Sequence, residues 1–259
     1  MNSLEFKMID VLKDLKENHS VLGVKAEFES EGARFEEVLR LKDIVSKAGL
    51  ELTIKIGGCE AIKDMLDAKN IGAKNIVAPM IESEYAMRKF VNATKNLFSN
   101  DEYSDAKFYI NIETITGYKN INEIINSQYF KEIEGCVLGR MDMTASIGLG
   151  RDSVNSDRVF EIASEISNMM LASNRKMVVG GGVSVASLPF FKKLPYITEF
   201  ETRKVIFNAS EILKDKDADK GILKALDFEL MWLKNKREHY GLIFKEDSNR
   251  ITMLEALAN

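Results

Sequence analysis

The sequence predicts a (β/α)8 TIM-type barrel, and three observations lead there. Short β-type apolar runs alternate with segments of helical spacing, which implies parallel strands joined by crossover helices. Each strand–helix unit takes about 30 residues, the length of a barrel repeat. No GxGxxG follows the first strand, which disfavours the alternative, a doubly wound open sheet built to hold a dinucleotide.

The chain opens with "MNSLEFKMIDVLKDLKENHS", a charged amphipathic helix rather than a signal peptide. The β-type runs come next: "SVLGVKAEFE" (20–29), "LELTIKIGG" (50–58), "NIVAPM" (75–80), "KFYINIET" (107–114), "CVLGRMD" (136–142), "KMVVGGG" (176–182) and "YITEFETRKVIF" (196–207). Most are rich in Val, Ile and Phe and bounded by Gly, Asn or polar residues. Between them, Phe35, Val38, Leu39, Leu41, Ile44, Val45 and Ala48 mark one helical face. Ile62, Met65 and Leu66 mark a second, and Phe160, Ile162, Ala163, Ile166, Met169 and Met170 a third. Seven strands are legible. The eighth is expected to be missing, displaced or hidden in a segment that reads as helix.

Residues 1–259 read as a single domain, of which 208–259 form a mainly helical C-terminal extension. The charged "LKDKDADKG" (213–221) reads as a solvated turn. The extension carries the only tryptophan, Trp232. It would either close the barrel bottom or cross to a neighbouring subunit.

Composition narrows the function. A chain of 259 residues, 45% hydrophobic and 29% charged, suits a soluble globular protein with a substantial core. A net charge of −4 argues against a nucleic-acid partner, and no apolar run approaches the roughly 20 residues of a membrane span. Cys59 and Cys136 lie far apart, so neither a disulfide framework nor a structural zinc site is expected, and the cytoplasm is the default compartment. His19 and His239 lie outside any motif, which leaves little room for a histidine base.

In parallel barrels, function collects at the C-terminal ends of the strands. That rule selects Glu27 and Glu29 on the first strand, Lys55 before Gly57 and Gly58 on the second, and Glu113 on the fourth. It also selects Asp142 on the fifth, Gly180 to Gly182 on the sixth, and Glu201 with Arg203 on one face of the seventh. Glu113 and Asp142 come from consecutive strands, so their carboxylates can converge. With waters they would make a hard oxygen site suited to Mg²⁺ or Mn²⁺, able to polarise a carbonyl and stabilise an enolate; otherwise each is a helix cap or an ion-pair partner. Lys55 is a cation for a substrate carboxylate, an amine for a Schiff base, or a lysine snorkelling to the rim. The glycines beside it would let a backbone approach an anion.

"IVAPMIESEYAMRKFV", "INIET" and "VLGRMDMTASIG" resemble the HpcH/HpaI aldolase and citrate lyase β-subunit family, over roughly residues 20 to 150. The resemblance implies a phosphoenolpyruvate/pyruvate-type barrel. Mg²⁺ or Mn²⁺ would sit on Glu113 and Asp142, and main-chain N–H groups near Met141 and Asp142 would bind the carboxylate of a pyruvate-like group. It also implies a homo-oligomer.

Two departures stand out. Lys55 takes the place of a strand-end arginine, keeping the charge without the bidentate fork. "EFES" replaces an acidic run ending in histidine, so Ser30 stands where the family has its proton-transferring His. Glu27 or Glu29 would then move protons. The family's first strand is also not evident before "VLGVKAEFE", so the first strand is either atypical or absent.

Three functions are consistent with these residues. The first is a metal-dependent carbon–carbon lyase or aldolase on a 2-oxo acid. There Lys55 neutralises enolate charge, and Arg140 or Arg203 binds the far end of the substrate. The second is phosphoenolpyruvate-dependent transfer or acyl-thioester hydrolysis on the same platform, with Lys55 and the two glycine runs, Gly57–Gly58 and Gly180–Gly182, contacting phosphate. The third is a barrel subunit without chemistry.

Overall fold

The computed structural model describes residues 1–258. The chain begins with α1 (Ser3–Asn18), β1 (Val21–Glu27), α2 (Phe35–Lys47), β2 (Glu51–Lys55), α3 (Ile62–Ile71) and β3 (Asn75–Ala78). The middle comprises α4 (Glu84–Leu97), α5 (Asn100–Asp105), β4 (Lys107–Ile112), α6 (Ile115–Lys119), α7 (Ile121–Ile125), β5 (Gly135–Gly139) and α8 (Arg140–Ser146). The last third comprises α9 (Asp157–Ala172), β6 (Lys176–Gly180), α10 (Leu188–Lys193), β7 (Glu199–Glu201), β8 (Val205–Asn208), α11 (Ala209–Ile212) and α12 (Ala218–Ala258).

The eight strands form one closed barrel in chain order. Neighbours from β1 to β7 are parallel. β8 is antiparallel to both β7 and β1, with an irregularity between Val21 and Gly23. This locates the eighth strand: "YITEFETRKVIF" is a hairpin, not one strand. Thr202 turns the chain, its N–H donating to Val205 O at 2.9 Å and its Oγ1 accepting from Val205 N at 3.0 Å. No strand precedes β1. The position between β7 and β1 is filled by β8 running backwards.

Reversing β8 also reverses the long helix after it. α12 climbs beside α1 instead of descending. Gly221 lies against His19, where a Cβ would come within 3.2 Å, Lys224 pairs with Asp14, and Asn2 donates to Asn235 Oδ1 at 2.8 Å. α1 buries Met8, Leu12 and Leu15, and α12 buries Ile222, Ala225, Phe228 and Trp232. Trp232 is 3% exposed, so it packs within this subunit and is not a surface for another. Beyond it the helix carries exposed Leu242, Ile243, Phe244, Ile251, Leu254 and Leu257.

The core has two layers. Outward strand residues such as Val24, Leu52, Ile54, Ile76, Ile110, Leu138 and Val179 pack against the helices. α2 presents Val38, Leu41, Ile44 and Val45, and α9 presents Val159, Ile162, Ala163, Ile166 and Met170. The α2 stripe is narrower than the sequence suggests, since Phe35 and Leu39 are exposed. Inside the barrel, Val77, Tyr109, Val137 and Val178 form a separate plug. Above it the inward positions turn polar: Lys25, Glu27, Lys55, Asn111, Glu113 and Glu201 are all buried.

Phe191, Phe200 and Phe207 stack in series at 4.8 and 4.9 Å, and Phe200 and Phe207 are direct cross-strand partners. This stack carries the closing hairpin. Phe207→Ala is expected to cost about 3–5 kcal/mol, while Arg203→Ala in the half-exposed turn stays within about 0.5 kcal/mol of wild type. Urea unfolding followed by circular dichroism measures both.

Candidate active site

A cavity of about 450 Å³ opens at the C-terminal ends of the parallel strands. Most of the expected site residues line it: Glu27, Glu29, Lys55, Glu113, Met141, Asp142 and Arg203. Arg140, Gly57 and Gly58 do not.

Glu113 directly follows β4 and is 1% exposed. Its Oε1 accepts the Met80 N–H at 3.0 Å, and Met80 sits at φ 47°, a region that non-glycine residues seldom adopt. Its Oε2 accepts Asn111 Nδ2 at 2.7 Å and Lys55 Nζ at 3.1 Å. Gly139 makes room for it, because a Cβ there would stand 2.6 Å from Glu113 Oε2.

Asp142 is not on β5 but in the first turn of α8, where it is exposed at the cavity. Desolvation by the walls and the Glu113 carboxylate, which it contacts, raise its pKa. Two carboxylates thus meet at one spot. Among the described residues no group of three or more His, Cys, Asp or Glu could hold a metal. What the cavity offers a hard divalent ion is therefore no more than the Glu113–Asp142 pair, whose carboxylate oxygens are the donor type that Mg²⁺ or Mn²⁺ would take.

Lys55 ends β2, with Nζ 2.6 Å from Glu29 Oε2 and 3.1 Å from Glu113 Oε2. Burial works against its charge, but Glu113 and Glu29 outweigh burial and its pKa is raised. Its two ion pairs favour the role of a cation over that of a Schiff-base amine, which must be neutral. Glu27 is tied on both oxygens, accepting Lys25 Nζ at 2.9 Å and the Ser30 hydroxyl. Burial is outweighed by Lys25 and Ser30, and its pKa falls to about 2.

Arg140 is fully buried and turned away from the cavity. It donates to Gly180 O at 3.1 Å, Asn155 Oδ1 at 2.6 Å and Ser187 Oγ at 3.3 Å, and lies 4.9 Å from the ring centroids of both Phe190 and Phe191. Desolvation lowers its pKa to about 9. It ties the β6 loop down instead of meeting substrate. Gly57 donates to Asp64 Oδ2 at 2.7 Å, which joins that loop to α3. Arg203 sits in the hairpin turn, not on the strand, and pairs with Glu31 at 3.1 Å.

Two residues complete the interior. Lys25 Nζ lies 2.5 Å from Glu201 Oε1 as well as contacting Glu27. The strand-end rule selects Glu201 but passes over Lys25. The alternation in "VKAEFE" does place Lys25 on the face of Glu27 and Glu29. From α12, Leu226 and Glu229 reach the cavity wall, a consequence of the climbing helix that no motif announces.

The HpcH/HpaI aldolase/citrate lyase family model matches residues 33–180. No curated protein matches the sequence. Among solved structures, an HpcH/HpaI aldolase/citrate lyase family protein from Burkholderia cenocepacia J2315 is similar at TM-score 0.60 and 13% identity, over 74% of this chain and 92% of that one. The HpcH/HpaI aldolase from Desulfitobacterium hafniense DCB-2 gives TM-score 0.59 and 12% identity, over 90% and 89%. The citrate synthase SbnG gives 0.61 and 13%, over 89% and 90%. At these identities the structures speak for the barrel fold. The family match spans more than half of the chain and includes Lys55, Glu113 and Asp142, so this protein belongs to the HpcH/HpaI aldolase/citrate lyase family.

Proposed function

We propose that this chain is a divalent-metal-dependent carbon–carbon lyase acting on a 2-oxo acid through a pyruvate-like enolate. Family membership supports a lyase or aldolase. The observation that carries the finer reading is the Glu113–Asp142 pair, two carboxylates in contact beside a charged lysine. Six carboxylates line the cavity (Glu27, Glu29, Glu113, Asp142, Glu201 and Glu229) against four cations (Lys25, Lys55, Arg151 and Arg203). An anionic 2-oxo acid would be repelled from such a cavity unless further positive charge were present. Mg²⁺ or Mn²⁺ on Glu113 and Asp142 would supply it, polarising the keto group and stabilising the enolate.

The other roles belong to the chain itself. Lys55 places its ammonium beside Glu113, where it would neutralise charge developing on the enolate oxygen. Met141 lines the cavity, with its main-chain N against Gly181, where a Cβ would stand 2.5 Å away. That N–H is the expected partner of the substrate carboxylate. Arg203, half exposed at the rim, is placed to meet the distal end of a longer substrate.

Calorimetric titration of metal-stripped protein tests this reading. Mn²⁺ or Mg²⁺ is expected to bind, oxalate to tighten that binding, and Asp142→Ala to weaken it by at least about tenfold. A folded protein that binds neither metal nor oxalate would leave the barrel without chemistry as the better account. Phosphoenolpyruvate turnover without exchange of pyruvate methyl protons would favour the transferase.

Metal affinity should also depend on pH. A protonated carboxylate cannot ligate, and the Asp142 pKa is raised. Affinity is therefore expected to hold above that pKa and to fall about tenfold per pH unit below it. The same titration repeated across the acid range measures the slope.

We also propose that the chain self-associates through α12. Its residues beyond Trp232 expose Leu242, Phe244, Ile251 and Leu257, more apolar surface than a lone helix normally leaves in water. Sedimentation equilibrium is expected to give an oligomer, and Phe244→Glu with Leu257→Glu a smaller species.

A further inference from the structure

We propose that Glu201 is the catalytic acid–base of this site, with Lys25 as its positioning residue. The Glu201 carboxylate would take a proton from the carbon next to the substrate carbonyl and return it. The proposal rests on the lyase reading above. In it the C–H electron pair becomes the C=C bond of the enolate, the carbonyl π electrons move onto oxygen, and the carboxylate becomes a carboxylic acid. The reverse step restores all three.

Several observations of the structure support Glu201. It ends β7, is 5% exposed and lines the same cavity as Glu113 and Asp142. The fold has made space for it: a Cβ on Gly180 of the neighbouring strand would stand 2.9 Å from Glu201 Oε1. Gly139 makes the same concession to Glu113. The Gly180 carbonyl is in turn held by Arg140. Two carboxylates are thus fitted over strand-end glycines, one for each half of the chemistry.

The bond pattern leaves Glu201 one free oxygen. Lys25 holds Glu201 Oε1 at 2.5 Å, and among the described residues Oε2 accepts no hydrogen bond. Glu27 and Glu113 have none free. Glu27 is bound on one oxygen by Lys25 and on the other by Ser30. Both oxygens of Glu113 accept hydrogen bonds, and Glu29, which pairs with Lys55 through Oε2 alone, is more exposed to solvent than Glu201. Neither histidine competes, because His19 is buried at the far end of α1 and His239 lies on α12 beside Tyr240.

Electrostatics separates the same groups. Burial raises the Glu201 pKa against the pull of Lys25, whereas Glu27 is held near 2 and is too acidic to serve as a base. The groups facing Glu201 are Lys25 and Glu27 from β1 and Lys55 from β2. Gly180 of β6 and Ile206 of β8, its strand neighbours, carry no charge. Arg203 and Lys204 in the hairpin turn are engaged by Glu31. A buried carboxylate whose pKa is raised holds and returns a proton more readily than one held low by its partners.

The test uses the full chain loaded with Mg²⁺ and two readouts. Oxalate mimics the enolate, so its binding should draw a proton onto Glu201. Calorimetry in two buffers of different ionisation heat counts that proton without turnover. Proton–deuterium exchange of the pyruvate methyl group, followed by NMR, reads the chemical step. Wild type is expected to take up about one proton and to exchange. Glu201→Gln should take up none, bind oxalate within about threefold of wild type, and lose about 100-fold or more of the exchange rate. If Glu201→Gln does not fold, Glu201→Met removes the carboxylate with an apolar side chain of similar length and leaves Lys25 paired with Glu27.

Proton uptake or exchange within about threefold of wild type in either variant overturns the role of Glu201 and leaves the lyase reading standing. A wild-type chain that neither binds oxalate nor exchanges overturns the lyase reading, and the Glu201 role falls with it.

Discussion

Closure of the barrel by a reversed strand is the constraint on which the rest of this structure depends. β8 satisfies the exposed edges of β7 and β1 at once, as any closed sheet must. Because it runs antiparallel, its connection to β7 is a tight turn at the catalytic mouth rather than a helix crossing the outside. That turn carries Thr202, Arg203 and Lys204 to the rim, where Glu31 from the loop after β1 engages the last two. The reversal also sends α12 upward, so that Leu226 and Glu229 become part of the cavity wall. Inside, Lys25 reaches Glu201 past β8, joining two strands that are not neighbours in the sheet.

The charges in the barrel mouth are not there to stabilise the fold. Burying an ion costs several kcal/mol, and a paired charge only roughly recovers that cost. The apolar shell between strands and helices and the phenylalanine stack under the hairpin supply stability without such expense. Yet Gly139 and Gly180 both give up side chains so that Glu113 and Glu201 can lie over them. A glycine in a strand weakens it. Two such glycines under two buried carboxylates indicate that the placement of those carboxylates is what the local sequence maintains.

The sequence is most legible where one physical rule acts alone. β1 to β6 are readable from apolar runs bounded by polar or glycine residues, and Glu113, Asp142 and Lys55 from the strand-end rule. The hairpin was hidden because its turn, "TRKV", contains no Gly, Asn, Asp or Pro, and none of its residues adopts a positive φ. A turn that needs no left-handed residue leaves no mark. Arg140 misled for a different reason. Arginine is rarely buried without a carboxylate, but here four oxygen acceptors and two phenyl rings satisfy it. Only tertiary packing decides which way such a side chain turns. Lys25 was passed over because a lysine inside a strand reads as an edge or surface residue, whereas a closed barrel gives its inward positions nowhere else to point.

The boundaries of the family match have a structural meaning. Residues 33–180 run from the start of α2 to the end of β6 and carry Lys55, Glu113 and Asp142. Outside them lie β1, β7, β8 and α12, with Lys25, Glu27, Glu29, Ser30 and Glu201. These outer elements are neighbours in space, because β8 joins β7 to β1. The serine at the histidine position and the missing first strand fall in this outer sector, beside the reversed β8, whereas Lys55 at the arginine position lies inside the matched segment on β2. A reversed strand alters which side chains face inward at the mouth on both of its sides. The strands on either side of it still point their C-terminal ends at the cavity. β1 and β7 are those strands, and the Lys25–Glu201 pair is where they meet.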